Sequence, residues 1–366
     1  MAFSTVQQML SLAWIADLDA GPMNGTVCEN TARLLPRIKM GLDALNLIDI
    51  IGGPKYELVW GPAVFTFNFG GLAPTYSDNT LFVVQDKRHP TQFVVATAGT
   101  DSVSVADWYL EDFWAGTTVP WPYGTATTNP RISVSSLLGL IICQTLIPCS
   151  GIPGAGEALK PFLAKQVAAA KSPLTITTTG HSLGGSLSPL MALWLKDTQG
   201  TTGVNPREVW DPNSTSALIA YSYAGATSGD ANWAAHFDSQ FDAQHAFRVW
   251  NEHDVVPHAW EVKMIAETPT LYSSTPDPSI QKIADSAIQQ VGGLNYQHWH
   301  ADTPPLTPPL IDTMGSYWLQ AAYQHTIGYW VGLGMPTIPD FLKAAIDRME
   351  KDIEKGIEGM EKEIQQ

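Results

Sequence analysis

The chain has 366 residues, 45% hydrophobic and only 15% charged, which is enough apolar material for a large core and excludes an intrinsically disordered chain. Folding a chain of this length buries roughly three quarters of its unfolded surface. With 35 acidic against 20 basic residues the net charge is −15, and no Lys/Arg cluster offsets it, so nucleic acid is not expected as a partner.

In chain order, residues 1–20 lack a basic n-region and carry Asp17 and Asp19 inside the apolar stretch. They read as an amphipathic helix and not as a signal peptide, which leaves the compartment open. Tyr56–Trp60, Leu81–Gln85 and Gln92–Thr97 read as strands, with turn residues between them, notably Asp86 to Pro90. Ile132 to Pro148 is the longest nearly uncharged apolar run, but it is short of the roughly 20 strongly apolar residues that a membrane span needs. A buried or surface-covering helix is expected there, and no transmembrane span.

Leu174–Thr179 is a further β-branched run, followed by a helix-like stretch from Leu183 to Lys196. Pro189 inside that stretch removes an N–H donor and predicts a kink or an early end. Leu218–Tyr223 and Ala246–Trp250 are two more strand candidates, and residues 291–299 read as the last core strand. Strands separated by helix-length segments predict an α/β layer architecture with a mostly parallel sheet. No fixed-period repeat is present, and the Pro-rich patch at 303–309 is too short to be an interdomain linker. From Phe341 to Gln366 charge dominates, with Ile346, Met349, Ile353, Ile357, Met360 and Ile364 at spacings of three and four. That predicts one charged amphipathic helix over 339–366, packed on a single domain spanning 1–338, with a coiled-coil or partner-docking role as the alternative.

Cys28, Cys143 and Cys149 form no CxxC pair, which argues against a zinc ribbon or a redox dithiol. An odd count cannot be fully paired within the chain. Cys143 and Cys149 could close a small loop, but the plain reading of all three is reduced, small hydrophobes.

The chemistry centres on Gly180-His181-Ser182-Leu183-Gly184-Gly185. A Gly-x-Ser-x-Gly match alone is weak; the context makes it informative, because a β-branched strand runs into it and an apolar helix leaves it. A nucleophile on a strand-to-helix turn needs small neighbours, since the serine backbone is strained and its hydroxyl sits at the helix N-terminus. The N–H of Leu183 then points at the place where an oxyanion would form. A serine hydroxyl also needs a base, and the base an orienting carboxylate. Asp254 lies just past the strand at 246–250. Among the later histidines, His258 is too close in sequence to reach back. His298 and His300 would share one face of a strand, whereas His325 follows a helix-like stretch and could swing back to both Ser182 and Asp254. His325 is the expected base, with His298 and His300 as the alternatives. His298-Trp299-His300-Ala301-Asp302 has no supporting cluster, so no metal is expected. A second oxyanion donor should follow an early strand, and Thr100, at the end of the strand 92–97, offers an N–H and a hydroxyl.

Taken together, these residues resemble the class 3 lipases, the fungal-lipase-like branch of the α/β hydrolases. Residues 96–100 with Asp107, Trp108 and Asp112 resemble the family's oxyanion strand and the helix after it. Residues 179–185 resemble its nucleophile elbow, 223–230 its Phe-Gly-x-Pro-Arg-x-Gly-Asp segment, and 248–257 its acid motif. His325 with Tyr329 matches the spacing of the family's histidine to a tyrosine. The resemblance covers roughly residues 50–335. Departures are Ala98, where the family has Arg, and Ala226-Thr227, where it has Pro-Arg; both read as lost structural contacts. The segment 132–172 does not match well.

The resemblance implies an α/β-hydrolase fold, a mostly parallel sheet flanked by helices, with lid or cap elements around 101–114 and 132–172. It implies a serine hydrolase of lipid esters, triacylglycerol lipase-like, working through an acyl-enzyme with Ser182, Asp254 and His325 as catalytic residues and Thr100 and Leu183 as the oxyanion hole. No cofactor is implied. The expected partners are a small or emulsified lipid ester and, transiently, a lipid interface. Two alternatives stand beside this: a phospholipase or short-chain carboxylesterase, and a lipase-like binding or signalling module without catalysis.

Overall fold

Strands that are apolar along nearly their whole length dictate a sheet covered on both sides. In the computed structural model, which describes residues 3–18, 26–48, 55–66, 79–98, 115–125 and 128–335, β1 (Tyr56–Phe65), β2 (Asn79–Asp86) and β3 (Gln92–Thr97) form an antiparallel meander. β2 and β3 are buried almost throughout. Leu81, Val83, Phe93 and Val95 enter one apolar cluster, while Phe82, Val84, Val94 and Ala96 enter another on the opposite face. The period-2 side-chain alternation of a strand separates them, and a strand buried on both faces reads as a near-continuous hydrophobic run.

Parallel strands follow: β6 (Thr175–His181) beside β3, then β7 (Ala217–Tyr223) and β8 (Ala246–Val249), giving the order β1-β2-β3-β6-β7-β8. Between β3 and β6 lie a small hairpin, β4 (Thr118–Pro120) with β5 (Arg131–Ser133), and two helices, α3 (Val134–Thr145) and α4 (Leu159–Ala169). Leu140, Cys143, Leu159, Phe162 and Leu163 of this crossover share a buried cluster with α5 (Leu183–Asp197), the helix that leaves the serine motif, and with α6 (Ala231–Gln240).

The other face is covered by α1 (Thr5–Ala16) and α2 (Val27–Ile48). The first helix is not amphipathic as expected. Every residue from Gln8 to Ala16 is buried, because α1 lies between the sheet, α2 and the aromatic Trp330. Ser4 and Gln7 close a capping box at its start, a device that contributes about 1 kcal/mol.

Three further expectations change. Residues 291–299 are not a strand: α7 (Pro278–Val291) ends there, and Tyr296 makes only an isolated bridge to Asp230. Pro189 neither stops nor splits α5. The carbonyl it leaves without a helical donor, that of Gly185, accepts from Ser222 Oγ at 2.6 Å, so the missing N–H is replaced from the neighbouring strand. The cysteines are not all reduced, nor is 143–149 the pair. Cys28 in α2 is bonded to Cys149, which lies beyond α3, while Cys143 is free and buried. Pairing across 121 residues is a tertiary contact that local spacing does not report.

Among the described residues, no helix is long and apolar enough to cross a membrane. The expected lid at 101–114, Thr100 and the C-terminal helix at 339–366 lie outside the described residues.

Candidate active site

The site is built where parallel strands end, the usual location for chemistry in an open α/β sheet. β6 finishes at His181 and α5 starts at Leu183, so Ser182 is the single residue of the turn. Its φ of 59° and ψ of −124° are strained for a residue with a side chain. The glycines around it follow from backbone contact. A Cβ on Gly180 would lie 2.1 Å from the carbonyl oxygen of Gly184, and one on Gly185 would lie 2.1 Å from that of Tyr223. The strand and helix can therefore approach only without side chains at these positions. Leu183 opens the helix, and its N–H is among the first-turn donors that lack an intrahelical acceptor.

Asp254, the expected acid, lies on the loop after β8. Asp254 is fully buried, and its carboxylate is held by three donors: Nδ1 of His325 at 3.0 and 2.9 Å, the hydroxyl of Tyr329 at 2.8 Å, and the amide of Val256 at 3.0 Å. Asn251 fixes the loop's position by donating from Nδ2 to both the backbone and the side-chain oxygens of Gln324. His325 is the last residue of α8 (Tyr317–His325), and Tyr329 stands in the short α9 (Ile327–Gly332). Burial and the Asp254 charge push the Tyr329 phenol well above its ordinary range, which keeps it protonated as a donor.

Because Asp254 is acceptor-only when ionised, Nδ1 of His325 carries the hydrogen in this pair, and Nε2 of the neutral ring is the acceptor. Among the described residues, that Nε2 is buried and makes no hydrogen bond. The Ser182–His325 hydrogen bond is thus not formed here; such bonds often tighten only when substrate is bound.

The other histidines are held elsewhere. His298 donates from Nε2 to the Pro257 carbonyl at 2.7 Å, and burial, with the nearby Arg248 guanidinium, holds its pKa well below the ordinary value. His300 pairs with the Phe241 carbonyl and Asp238. His258 donates from Nδ1 to the backbone oxygen of Asp254 at 2.7 Å, and burial lowers its pKa as well. The structure therefore brings Asp254 to His325 and not to His298 or His300.

Two features escaped sequence reasoning. Asn251 and Gln324 form a buried clamp 73 residues apart in sequence, with no local signal beyond polarity. Thr227, read as a lost contact, has its own: its hydroxyl donates to the Ala259 carbonyl at 2.7 Å and accepts from the Trp260 amide at 2.9 Å.

A six-stranded sheet with helices on both faces, carrying a strained serine between strand and helix, defines an α/β hydrolase. The family model for class 3 lipases matches residues 133–264, which span the serine motif and Asp254. The solved structure of M37 lipase is similar at 30% identity and a TM-score of 0.82, over 95% of this chain and 99% of that one. The chain belongs to the class 3 lipase family, and with it to the carboxylic ester hydrolases. Two solved structures are more distant: an MDLA variant from Penicillium cyclopium (14% identity, TM-score 0.42, 85% of this chain and 83% of that one) and a triacylglycerol lipase from Penicillium expansum (12%, 0.41, 84% and 82%). No curated protein sequence matches the chain.

Proposed function

We propose that the protein hydrolyses carboxylic esters of lipids through an acyl-enzyme formed on Ser182. The observation that carries this reading is the buried Asp254–His325 pair, whose Nε2 has no hydrogen-bond partner among the described residues, standing at the same end of the sheet as the Ser182 turn. His325 takes the Ser182 proton as the hydroxyl oxygen attacks the ester carbonyl, and Asp254 holds the imidazole and stabilises its charged form. The oxyanion is held by the Leu183 N–H and by Thr100. His325 returns the proton to the departing alcohol, and water then deacylates Ser182 with the same base.

Lipid as the substrate class is supported by family membership and by α3, which leaves Leu138 and Ile141 exposed, as is Ile147 just beyond it. In this reading the segments 101–114 and 132–172 provide the cover over an acyl chain.

The test is hydrolysis of p-nitrophenyl esters from acetate to stearate, with emulsified triglyceride and phospholipid alongside, by wild type and Ser182→Ala. Wild type should favour long chains, and the rate should rise above the solubility limit. Ser182→Ala should fold normally and lose about 10⁴-fold or more of kcat. Preference for acetate with simple saturation would make it a short-chain esterase, and phospholipid turnover alone a phospholipase. No turnover by folded wild type would leave a non-catalytic module.

A further inference from the structure

We propose that His181, the residue before the nucleophile, is a positioning residue that fixes the base relative to Ser182; this rests on the reading of Ser182 and His325 above. Nε2 of His181 lies 2.8 Å from the backbone oxygen of His325, 144 residues away in sequence. A carbonyl oxygen only accepts, so Nε2 carries the hydrogen and donates. The acceptor is special in its place. His325 ends α8, where carbonyls have no intrahelical donor, and Thr326 leaves the helix at φ −118°, ψ −85° before α9 begins. The imidazole of His181 caps that end, as cationic and imidazole side chains do at helix C-termini.

The bond joins the two reacting residues through one covalent step. His181 is the last residue of β6, its neighbour Ser182 is the turn, and its ring grips the backbone that carries the base. Any slip of α8 along the sheet must break a hydrogen bond that is almost fully buried, where such bonds are strongest and their loss leaves an unmet carbonyl. The ring also packs on the base itself: the His181 and His325 centroids are 4.7 Å apart at 43°. Tyr329, which holds Asp254, stands edge-on to His181 at 5.8 Å, and Trp14 of α1 does so from another side, also at 5.8 Å.

Behind the ring, Nδ1 lies 3.6 Å from Oδ2 of Asp17, the residue that caps α1. At that distance it is too long for a hydrogen bond. Through Trp14 the amino-terminal helix packs against the His181 ring from outside the parallel core. The second position of the serine motif is therefore where nucleophile, base and acid-holding tyrosine are set against one another.

The experiment compares full-length wild type with His181→Gln, whose amide nitrogen can reach the place of Nε2, and His181→Met, which fills similar volume without a donor. His181→Asn, whose amide falls one bond short, serves in place of Met should Met fail to fold. On a soluble short-chain ester, the variant without the donor should lose about 10²-fold in kcat, the effect of a misplaced group near 1 Å, with KM nearly unchanged. His181→Gln should recover most of it. The low-field proton resonance of His325 Nδ1–H, assigned by its loss in His325→Ala, should be present in wild type and His181→Gln and be lost or shifted in the variant without the donor. A folded His181→Met with wild-type kcat and an unmoved resonance overturns the proposal, as does equal loss in Met and Gln. Should wild type itself fail to turn over ester, the hydrolase reading falls on that assay alone, while the resonance still reports whether His181 sets His325.

Discussion

The hydroxyl of Tyr329 donates to Oδ2 of Asp254 at 2.8 Å and accepts from the amide of Asn251 at 3.2 Å, so one phenol orients the Asp254 carboxylate and ties its loop to α9. All three residues are fully buried. Tyr329→Phe removes a donor from a buried carboxylate and leaves the Asn251 N–H without its acceptor. The expected cost is about 1–3 kcal/mol of stability, read from denaturant unfolding. Because His325 Nδ1 and the Val256 amide still hold Asp254, kcat should fall only about tenfold, one 1.4 kcal/mol step. A loss of activity as deep as that of Ser182→Ala would mean that the phenol does more than orient.

Most of the sheet was legible because its strands are buried on both faces. Gln92–Thr97 and Leu218–Tyr223 read as apolar or β-branched runs, and the structure places strands at Gln92–Thr97 and Ala217–Tyr223. Residues 291–299 misled for the same reason. Tyr296 and Trp299 are buried, but they pack as an irregular segment whose pairing among the described residues is a single bridge, from Tyr296 to Asp230. The burial of α1 on all sides was not legible either. An aspartate at its end suggested a wet face, whereas Asp17 is the residue that approaches His181. The serine turn was readable since its glycines are demanded by backbone contacts within a few residues. The His181–His325 and Asn251–Gln324 contacts were not, because they join segments that only tertiary packing brings together.

The Cys28–Cys149 bond spans 121 residues and ties α2 to the segment beyond α3. For a loop of that length the chain-entropy account gives about 5 kcal/mol of stabilisation, reduced by whatever structure the unfolded chain retains. Cys28→Ala should therefore lower Tm clearly, and a reducing agent should do the same to wild type and nothing to the variant. Thiol labelling adds a check. Burial pushes the Cys143 thiol up to about 12, so the native oxidised protein should take no label, and unfolding without reduction should expose one thiol. Two or three labels on the native protein would contradict the pairing.

Acid should destabilise the protein well before its carboxylates titrate. His298 and His258 are buried with pKa values below the ordinary 6.5, mainly by desolvation, so the folded state holds them neutral while the unfolded state takes up protons. Stability is therefore fully present above about pH 6.5 and falls as the pH drops toward the lower folded-state values. His298→Gln keeps an N–H for the Pro257 carbonyl but cannot titrate. Denaturant midpoints measured between about pH 5 and pH 8 should slope less in that variant than in wild type. Equal slopes would place the proton uptake at other groups.

Burial and hydrogen-bond partners decide how the histidines should respond to replacement. In His325→Ala the carboxylate of Asp254 keeps Tyr329 and Val256, so its loop remains supported, but Ser182 loses its proposed base. Turnover should fall by orders of magnitude, as for any triad member, while Tm moves modestly. His298→Ala should behave in the opposite way. It leaves the buried Pro257 carbonyl without its donor and opens a cavity beside Arg248, costing roughly 2–4 kcal/mol from the unmet carbonyl and lost packing, with kcat nearly retained in the fraction that folds. His300 is only partly buried and bonds a carbonyl and Asp238 at the surface of α6, so His300→Ala should change little in either measurement. The decisive comparison is kcat against Tm for the three variants in one buffer, with imidazole added to His325→Ala as a replacement base. Collapse of kcat at 298 or 300 with a near-normal His325→Ala would move the base, and the proposed roles of Asp254 and His181 would fall with it, while the Ser182 nucleophile would stand.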